Sequence, residues 1–216
     1  MPPGNGPCHL ADNWTTPKSQ RGGLQTSPRS SQNDLMISIR PASLPADASA
    51  IEAIDTSFTT SEVFDVEAGS AQISLRLRAL GAPLQKRFPL DDLRSDSRPY
   101  TMSWVALRGA SIVGFAAVSF ETWNGRLVLW HFYVDPTSRR EGVGRRLIEV
   151  VKAHAVDCGA RHIWLETSSL NVPGVNAYGA LGFSLTGADL TLYDGTPSEG
   201  EIALFYSRGV RAQPPL

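Results

Sequence analysis

Apolar and polar residues alternate with a period of two in the first half of the chain, as they do in half-buried strands. The alternation predicts strands at residues 36–40, 61–66 and 73–79, the last two lying on either side of Gly69. A helical pattern over 44–54, with Pro45 in its first turn, separates the first strand from the second. Residues 83–99 are charged and show no period, which predicts an irregular loop.

Longer apolar runs occupy the middle of the chain. Residues 104–107 and 112–120 flank Gly109 and predict a hairpin, and Asn124-Gly125 predicts a second tight turn. The run that follows, residues 127–134, is too apolar for an exposed strand. We therefore expect this strand to lie in the centre of the sheet.

The second half alternates between helical and strand periods. Residues 142–158 predict a helix that Gly159 ends, with one apolar face formed by Val143, Leu147, Val151, Ala155 and Cys158. A strand at 162–166, a helix at 172–181 and strands at 183–185 and 201–206 follow. Helices interleaved with strands in this way predict an α/β (α+β) fold built on a mixed sheet.

Residues 1–35 differ from the rest in composition, because Pro, Gly, Ser, Asn and Gln dominate and large apolar residues are few. Such a segment buries too little apolar surface to offset its ordering entropy. We therefore predict a disordered tail at 1–35, followed by one domain at 36–216. Met36 is an alternative start of the native protein.

Composition and charge narrow the classes of function. The 216 residues carry a net charge of -1, a balance that argues against a dedicated nucleic-acid binder. Cys8 and Cys158 offer no metal-ligand spacing, and no apolar run reaches the length of about 18 residues that a membrane helix needs. The N-terminus lacks the pattern of a secretory signal. The sequence therefore predicts a cytoplasmic protein without a metal, a membrane anchor or a nucleic-acid partner.

Arginines and glycines cluster where the predicted central strand ends at Asp135-Pro136, at Arg139, Arg140, Gly142, Gly144 and Arg145. The glycines allow a ligand to approach the backbone closely. The first N–H groups of the next helix have no internal partner and, with the helix dipole, form an anion site. The segment is therefore suited to bind a diphosphate. Leu147 stands where the dinucleotide fingerprint needs its third glycine, and no Gly-Lys-Ser/Thr follows, so neither common nucleotide motif is present.

The pattern Arg-x-x-Gly-x-Gly at 139–144 resembles the acyl-CoA loop of the GNAT superfamily of N-acetyltransferases. A second match comprises Trp-Leu-Glu-Thr at 164–167, Leu-Asn-Val-Pro at 170–173 and Ala-Tyr-Gly-Ala-Leu-Gly-Phe at 177–183. The resemblance implies that acetyl-CoA is the co-substrate. It also implies a GNAT fold, in which a twisted, mixed but mostly antiparallel sheet is flanked by helices and splayed between its fourth and fifth strands.

The same resemblance implies which residues bind the cofactor. Pantetheine would enter between the splayed strands, and the binding residues would be Phe132, Tyr133, Val134, Arg139, Arg140, Glu141, Gly142, Val143, Gly144, Arg145, Asn171 and Tyr178. Asn171 would hydrogen-bond the pantetheine arm. Tyr178 would protonate the leaving thiolate, because a phenol is a donor of suitable reach for general acid catalysis.

Two residues are candidates for the general base. His131 has an ordinary pKa suited to accept a proton near neutrality, and Glu166 on the neighbouring strand could act through water. Each is also compatible with a structural hydrogen-bonding role. Residues that could line the acceptor site are Glu62, Asp65, Trp130, Asp189, Tyr193 and Glu201.

Within the superfamily, segments 57–67, 113–119 and 192–204 are similar to streptothricin acetyltransferases. Those enzymes confer resistance by acetylating an amine on the β-lysine arm of the antibiotic. They usually carry acidic residues on the strand where this chain has Trp130, His131 and Tyr133. Two alternatives therefore stay open, namely acetylation of a protein N-terminus or lysine and a non-catalytic acyl-CoA-binding module. The sequence also leaves open whether the protein forms a homodimer.

Overall fold

The computed structural model describes residues 36–210, so the predicted tail at 1–35 lies outside the described residues. A seven-stranded sheet with the order β1-β4-β5-β6-β7-β9-β8 and a separate two-stranded sheet, β2-β3, form the framework. The strands are β1 (Ile37–Pro41), β2 (Ser57–Ala68), β3 (Ile73–Arg87), β4 (Met102–Arg108), β5 (Ser111–Glu121), β6 (Arg126–Val134), β7 (His162–Ser168), β8 (Ser184–Asp189) and β9 (Ala203–Gly209). The helices are α1 (Ala48–Glu52), α2 (Val143–Asp157) and α3 (Val172–Ala180).

The large sheet is antiparallel except where β6 meets β7, its fourth and fifth strands. These two strands run parallel and are paired only at Arg126↔His162, Leu127↔Ile163 and Val128↔Trp164. Beyond Val128 neither strand is paired with the other, so the sheet opens into a gap. The central position of β6, the mixed sheet and the splay are confirmed.

The sheet packs a hydrophobic core on each face. On one face, α2 buries the predicted apolar stripe of Val143, Leu147, Val151 and Ala155. On the other face, α1 and a 3-10 turn at Asp91–Arg94 pack over the central strands through Ile51, Ile54, Leu93 and Phe115. One face thus carries the long helix α2, and the other carries the short helix α1 and the 3-10 turn, so the gap can be approached from two different sides.

A bulge in β6 changes which face its side chains point to. His131 pairs with Ala117 and Leu129 pairs with Val118, so Trp130 is an extra residue between them. Side chains alternate along a strand, and an inserted residue shifts that alternation by one. Consequently Leu129 packs into the core under α2, whereas His131 contacts rings on the opposite face.

The first predicted helix is shorter than expected. Only Ala48–Glu52 is α-helical, and the carboxylate of Asp47 does not cap this helix. It accepts instead from Arg40 at 2.7 Å and 2.9 Å and from the backbone N–H of Ser43 at 2.7 Å. These contacts fix the preceding residues in turns.

The prediction of a loop throughout 83–99 was wrong for its first part. β3 continues to Arg87, and Leu84 to Arg87 pair with Thr60 to Ser57. Pro83 is tolerated because the register is interrupted between Thr60 and Glu62, and this interruption leaves residues 80–83 outside the ladder. A proline in a two-stranded edge costs little where no ladder hydrogen bond is needed.

Among residues 36–210, no helix is both long enough and apolar enough to cross a membrane.

Candidate active site

A cavity of about 570 Å³ occupies the gap between β6 and β7. One part of its wall is the turn before α2, and the opposite part is α3. The residues that line it are Thr56, Ser57, Phe58, Phe88, Leu129, Trp130, Phe132, Tyr133, Val134, Ser138, Arg139, Arg140, Gly142, Val143, Gly144, Arg145, Leu165, Glu166, Thr167, Asn171, Pro173, Gly174, Ala177, Tyr178, Ala180, Leu181 and Tyr193. Most of the sequence-predicted cofactor residues are therefore brought together.

The turn before α2 exposes backbone donors to the cavity. Gly142 has a φ of 83° and Arg140 a φ of 64°, both in the left-handed region that a tight turn requires. The first helical bond runs from the Arg146 N–H to the Gly142 carbonyl, at 3.0 Å. The N–H groups of residues 143–145 therefore have no partner within the helix and can bind an anion.

Two further observations fit a diphosphate with a pantetheine arm. The Ser138 hydroxyl oxygen lies on the cavity wall, is buried, and has no hydrogen-bond partner among the described residues. Buried polar atoms normally have partners, so this hydroxyl is available to a ligand. At Gly144, a β-carbon would lie 3.4 Å from the Phe132 ring, so the absent side chain keeps the passage between strand and helix open.

The charged residues of the turn divide into two groups. Arg139 donates to the carbonyls of Val134 and Ser57, each at 3.1 Å, and thereby fixes the turn to the strands. Glu141 is paired with Arg108, which leaves its backbone as the part that can face a ligand. Arg140 and Arg145 line the cavity and form no ion pair within residues 36–210. They provide positive charge that is not committed to the fold.

Asn171 has a structural role in addition to its place on the cavity wall. Its side-chain oxygen accepts from the Gly174 N–H at 3.0 Å and so caps α3, a favourable role for asparagine. Its amide donates to the Thr167 hydroxyl at 2.9 Å. The side chain thus joins β7 to α3, and its bond to pantetheine stays a prediction.

Tyr178 lies on α3 and faces the gap. Its ring packs against Phe132, Phe183 and Tyr206, with centroids 6.4 Å, 6.0 Å and 6.4 Å away. Burial, with the nearby Glu166 carboxylate, raises the pKa of the Tyr178 phenol to about 12. The phenol is therefore protonated near neutral pH and can donate a proton or a hydrogen bond.

Glu166 lies on β7 and points toward the face opposite α2 and α3, because its neighbours Leu165 and Thr167 are buried. It accepts a hydrogen bond from the Tyr193 hydroxyl. Glu166 is exposed to solvent on the wall of the cavity, and the neighbouring groups partly desolvate its carboxylate. Burial raises the pKa of Glu166 above its ordinary value of 4.5, whereas the Tyr193 hydrogen bond and the Lys86 charge oppose the rise. A carboxylate with a raised pKa is a better proton acceptor.

The structure does not bring His131 to the cavity. Its Nε2 lies 2.9 Å and 3.0 Å from the two carboxylate oxygens of Asp92, and its Nδ1 is buried without a partner among the described residues. The rings of Tyr100 and Phe115 pack against it at 5.4 Å and 5.8 Å. The hypothesis that His131 is the general base is therefore not supported, because both sides of its ring face protein.

The six candidate acceptor residues differ in whether they lie at the cavity. Trp130 and Tyr193 line the cavity, and Glu201 lies next to it in contact with Lys86 and Ser168. The other three do not line the cavity. Glu62 is exposed on β2, Asp65 pairs with Arg78 at 2.9 Å, and Asp189 accepts from Thr191 at 2.9 Å.

Sequence reasoning missed an aromatic wall and a lysine. Phe58 and Phe88 stack at 5.7 Å, and Phe88 lies 6.3 Å from Tyr133, so the three rings form one side of the cavity. Phe88 and Lys86 fall inside the segment that was interpreted as a charged loop. This segment is a strand because it pairs with β2, and no periodic pattern in its own sequence indicates that pairing.

Comparison with known proteins places this geometry in a family. The profile of the Acetyltransferase (GNAT) family matches residues 73–183. A streptothricin acetyltransferase of Streptomyces lavendulae is 42% identical over 171 residues, which are 76% of this chain and 90% of the relative. The crystal structure of a nourseothricin acetyltransferase superposes with a TM-score of 0.72 at 41% identity, covering 81% of this chain and 99% of the other.

A third relative shows the donor. A protein of Bacillus anthracis str. Ames, solved in complex with acetyl coenzyme A, superposes with a TM-score of 0.69 at 25% identity, covering 81% of this chain and 99% of the other. The splayed strands and the arginine–glycine turn of this chain agree with such a ligand. The chain belongs to the acetyltransferase (GNAT) family, and its acetyl donor is acetyl coenzyme A.

Proposed function

We propose that the chain acetylates a primary amine of a streptothricin-type antibiotic, with the β-lysine arm of the antibiotic entering the gap from the face opposite α2 and α3. One observation carries this proposal. Glu166 presents a carboxylate to that face of the gap, while the helix side of the same gap carries the backbone donors. A cationic amine is attracted to such a carboxylate. The names of the two relatives at 42% and 41% identity support this acceptor.

The carboxylate of Glu166 compensates for the departure noted in the sequence. β6 carries Trp130, His131 and Tyr133 where streptothricin acetyltransferases usually carry acidic residues. In this fold the negative charge comes from the neighbouring strand, namely from Glu166 on β7, whereas Glu201 is paired with Lys86. The absence of acidic residues from β6 therefore does not remove the charge that would attract an ammonium group.

The two titratable groups of the gap have complementary roles. Glu166 would take a proton from the acceptor's ammonium group, directly or through water, so that the neutral amine can attack the thioester carbonyl; its raised pKa makes it a competent base. Tyr178 would supply the proton to the departing thiolate, because its phenol stays protonated. The main-chain groups of β6 beyond Val128 are not paired with β7, and a donor among them would stabilise the developing oxyanion.

The form of the acceptor side favours a small molecule over a protein. The loop between β8 and β9, residues 190–202, reaches Glu166 through the Tyr193 hydroxyl. This contact places the loop beside the carboxylate, on the side where a polypeptide acceptor would need an open groove. A non-catalytic acyl-CoA module would need neither a buried phenol nor a carboxylate of raised pKa at the gap.

The proposal is tested by incubating the purified protein with streptothricin and acetyl-CoA and measuring the mass of the antibiotic. We expect the mass to increase by a single acetyl group, at an amine of the β-lysine arm. Free lysine and a lysine-containing peptide serve as competing acceptors. Unchanged streptothricin, with acetyl-CoA bound tightly by the same protein preparation, would contradict this acceptor.

A further inference from the structure

At its last residue, the loop at residues 190–202 is bound to Ser169, whose N–H donates to the Ile202 carbonyl at 2.8 Å and whose hydroxyl accepts from the Ile202 N–H at 3.1 Å. Side chains attach the loop to the rest of the molecule at two further points. At one, the Tyr193 hydroxyl donates to Glu166 on β7. At the other, the ammonium group of Lys86, near the end of β3, lies 2.5 Å from both carboxylate oxygens of Glu201 and 3.1 Å from the Ser198 hydroxyl. Lys86 therefore contacts both the middle and the end of this loop.

The Lys86–Glu201 pair is more enclosed than the other ion pairs of the hairpin. The Lys86 and Glu201 side chains are 20% and 12% exposed, against 73% and 58% for Arg76 and Glu67 on the same two-stranded sheet. Glu201 also accepts from the Ser168 hydroxyl at the end of β7. The pair thus joins β3, β7 and the loop, and the loss of one partner would leave an uncompensated, partly buried charge.

We propose that Lys86 is a positioning residue of the acceptor site, which holds the loop at residues 190–202 so that Tyr193 meets Glu166 and which neutralises Glu201 beside that carboxylate. The anchoring role follows from contacts within the protein alone. The consequence for catalysis rests on the proposed function, because only an acceptor amine would report it.

The charges around Glu166 give this role a measurable signature. Tyr193 and Glu201 face Glu166 from the loop, Lys86 from β3, Tyr178 from α3 and Tyr133 from β6. Lys86 lowers the pKa of Glu166 and Glu201 raises it. Removing Lys86 alone would therefore raise the pKa of Glu166, and removing both members of the pair would raise it less.

Hydrogen exchange of full-length wild-type protein, Lys86→Met, Lys86→Arg and Arg76→Met tests the anchor without any acceptor. We expect exchange in residues 190–202 to be about tenfold faster in Lys86→Met, whereas Lys86→Arg and the exposed-pair control Arg76→Met stay close to wild type. Lys86→Met combined with Glu201→Gln removes both charges and should also loosen the loop. If Lys86→Met does not fold, this double variant provides the same measurement. Wild-type exchange rates in the loop of these variants would overturn the proposal.

Kinetics with streptothricin supply the second readout. In Lys86→Met we expect the KM for the antibiotic to rise about tenfold, the KM for acetyl-CoA to stay unchanged, and the acid limb of kcat/KM to move to higher pH. The double variant should keep the high KM, but its acid limb should move less than that of Lys86→Met, because the opposing charge of Glu201 is removed as well. An acid limb that does not move in Lys86→Met would overturn the electrostatic role. Failure of the wild-type protein to acetylate streptothricin would instead refute the proposed function, and the exchange experiment would still decide the anchoring role.

Discussion

The two sides of the gap between β6 and β7 are built in opposite ways. The donor side is a single short segment, residues 139–145, that offers mainly backbone N–H groups at the start of a helix. The acceptor side takes side chains from four separate segments, among them Lys86 on β3, Glu166 on β7 and Tyr193 in a loop. A site made of backbone depends on local conformation, whereas a site made of side chains depends on how distant segments pack.

This difference predicts how each side responds to substitution. At the glycines of the donor side, the size of a new side chain matters most, because it can block access to the backbone. On the acceptor side, the chemical identity of each group matters, because charge and proton affinity are the properties used. The following variants separate these two kinds of dependence.

The largest effect is expected at the acceptor carboxylate. Glu166→Gln preserves shape but removes the proton acceptor, so kcat/KM for the antibiotic should fall by about 1,000-fold, within the range of general base catalysis. Affinity for acetyl-CoA, measured by calorimetry, should stay unchanged. Glu62→Gln, an exposed carboxylate on β2, is the matched control. Near-wild-type turnover in Glu166→Gln would remove this residue from the mechanism.

Tyr178→Phe tests whether the buried phenol acts as an acid. The ring packing against Phe132 and Phe183 would be retained, but no proton could be delivered to the thiolate. We expect kcat to fall by about 100-fold, with little change in acetyl-CoA affinity. Tyr206→Phe, a neighbouring buried tyrosine that does not line the cavity, should retain turnover. Equal losses in the two variants would indicate a packing effect.

Gly144→Leu tests the donor side by size alone. Its side chain would meet Phe132 and Val134 at the wall of the gap, where a β-carbon already lies 3.4 Å and 3.7 Å away. We expect the KM for acetyl-CoA to rise about 30-fold, equivalent to about 2 kcal/mol of lost binding. Gly81→Leu places the same side chain in open space on β3 and should have no such effect. An unchanged KM would mean that the ligand does not pass this point.

The smallest effect is expected at Tyr193. Its hydrogen bond lowers the pKa of Glu166, so Tyr193→Phe should raise that pKa. Glu166 must be deprotonated to act as a base, and the raised pKa moves the acid limb of kcat/KM to higher pH. Activity at a pH well above the limb should fall by less than about tenfold, because the base itself remains. A limb displaced to lower pH would contradict the assignment of Glu166.

The same contrast explains what could be predicted from the sequence. The turn at 139–145, the amphipathic helix α2 and the central strand β6 follow from local periods and from glycine positions, and the structure confirms them. The continuation of β3 to Arg87 was not predicted, because it depends on pairing with β2 across a break in register. Lys86 and Phe88 were missed for this reason. His131 was considered a candidate base because of its residue type. Its contact with Asp92, which lies in a turn distant in sequence, could not be predicted from local pattern.

Because of the bulge at Trp130, β6 presents side chains to both the donor side and the acceptor side of the gap. Before it, Leu129 faces the helices, and after it Phe132 and Val134 do so, while Tyr133 turns toward the acceptor. If Trp130 were instead paired as an ordinary residue of the ladder, the alternation would exchange the two surfaces over the rest of β6, turning the Tyr133 phenol toward α2 and the Phe132 ring toward the acceptor side. Deleting residue 130 would leave these directions unchanged, because it would only make the pairing of Leu129 and His131 with Val118 and Ala117 continuous.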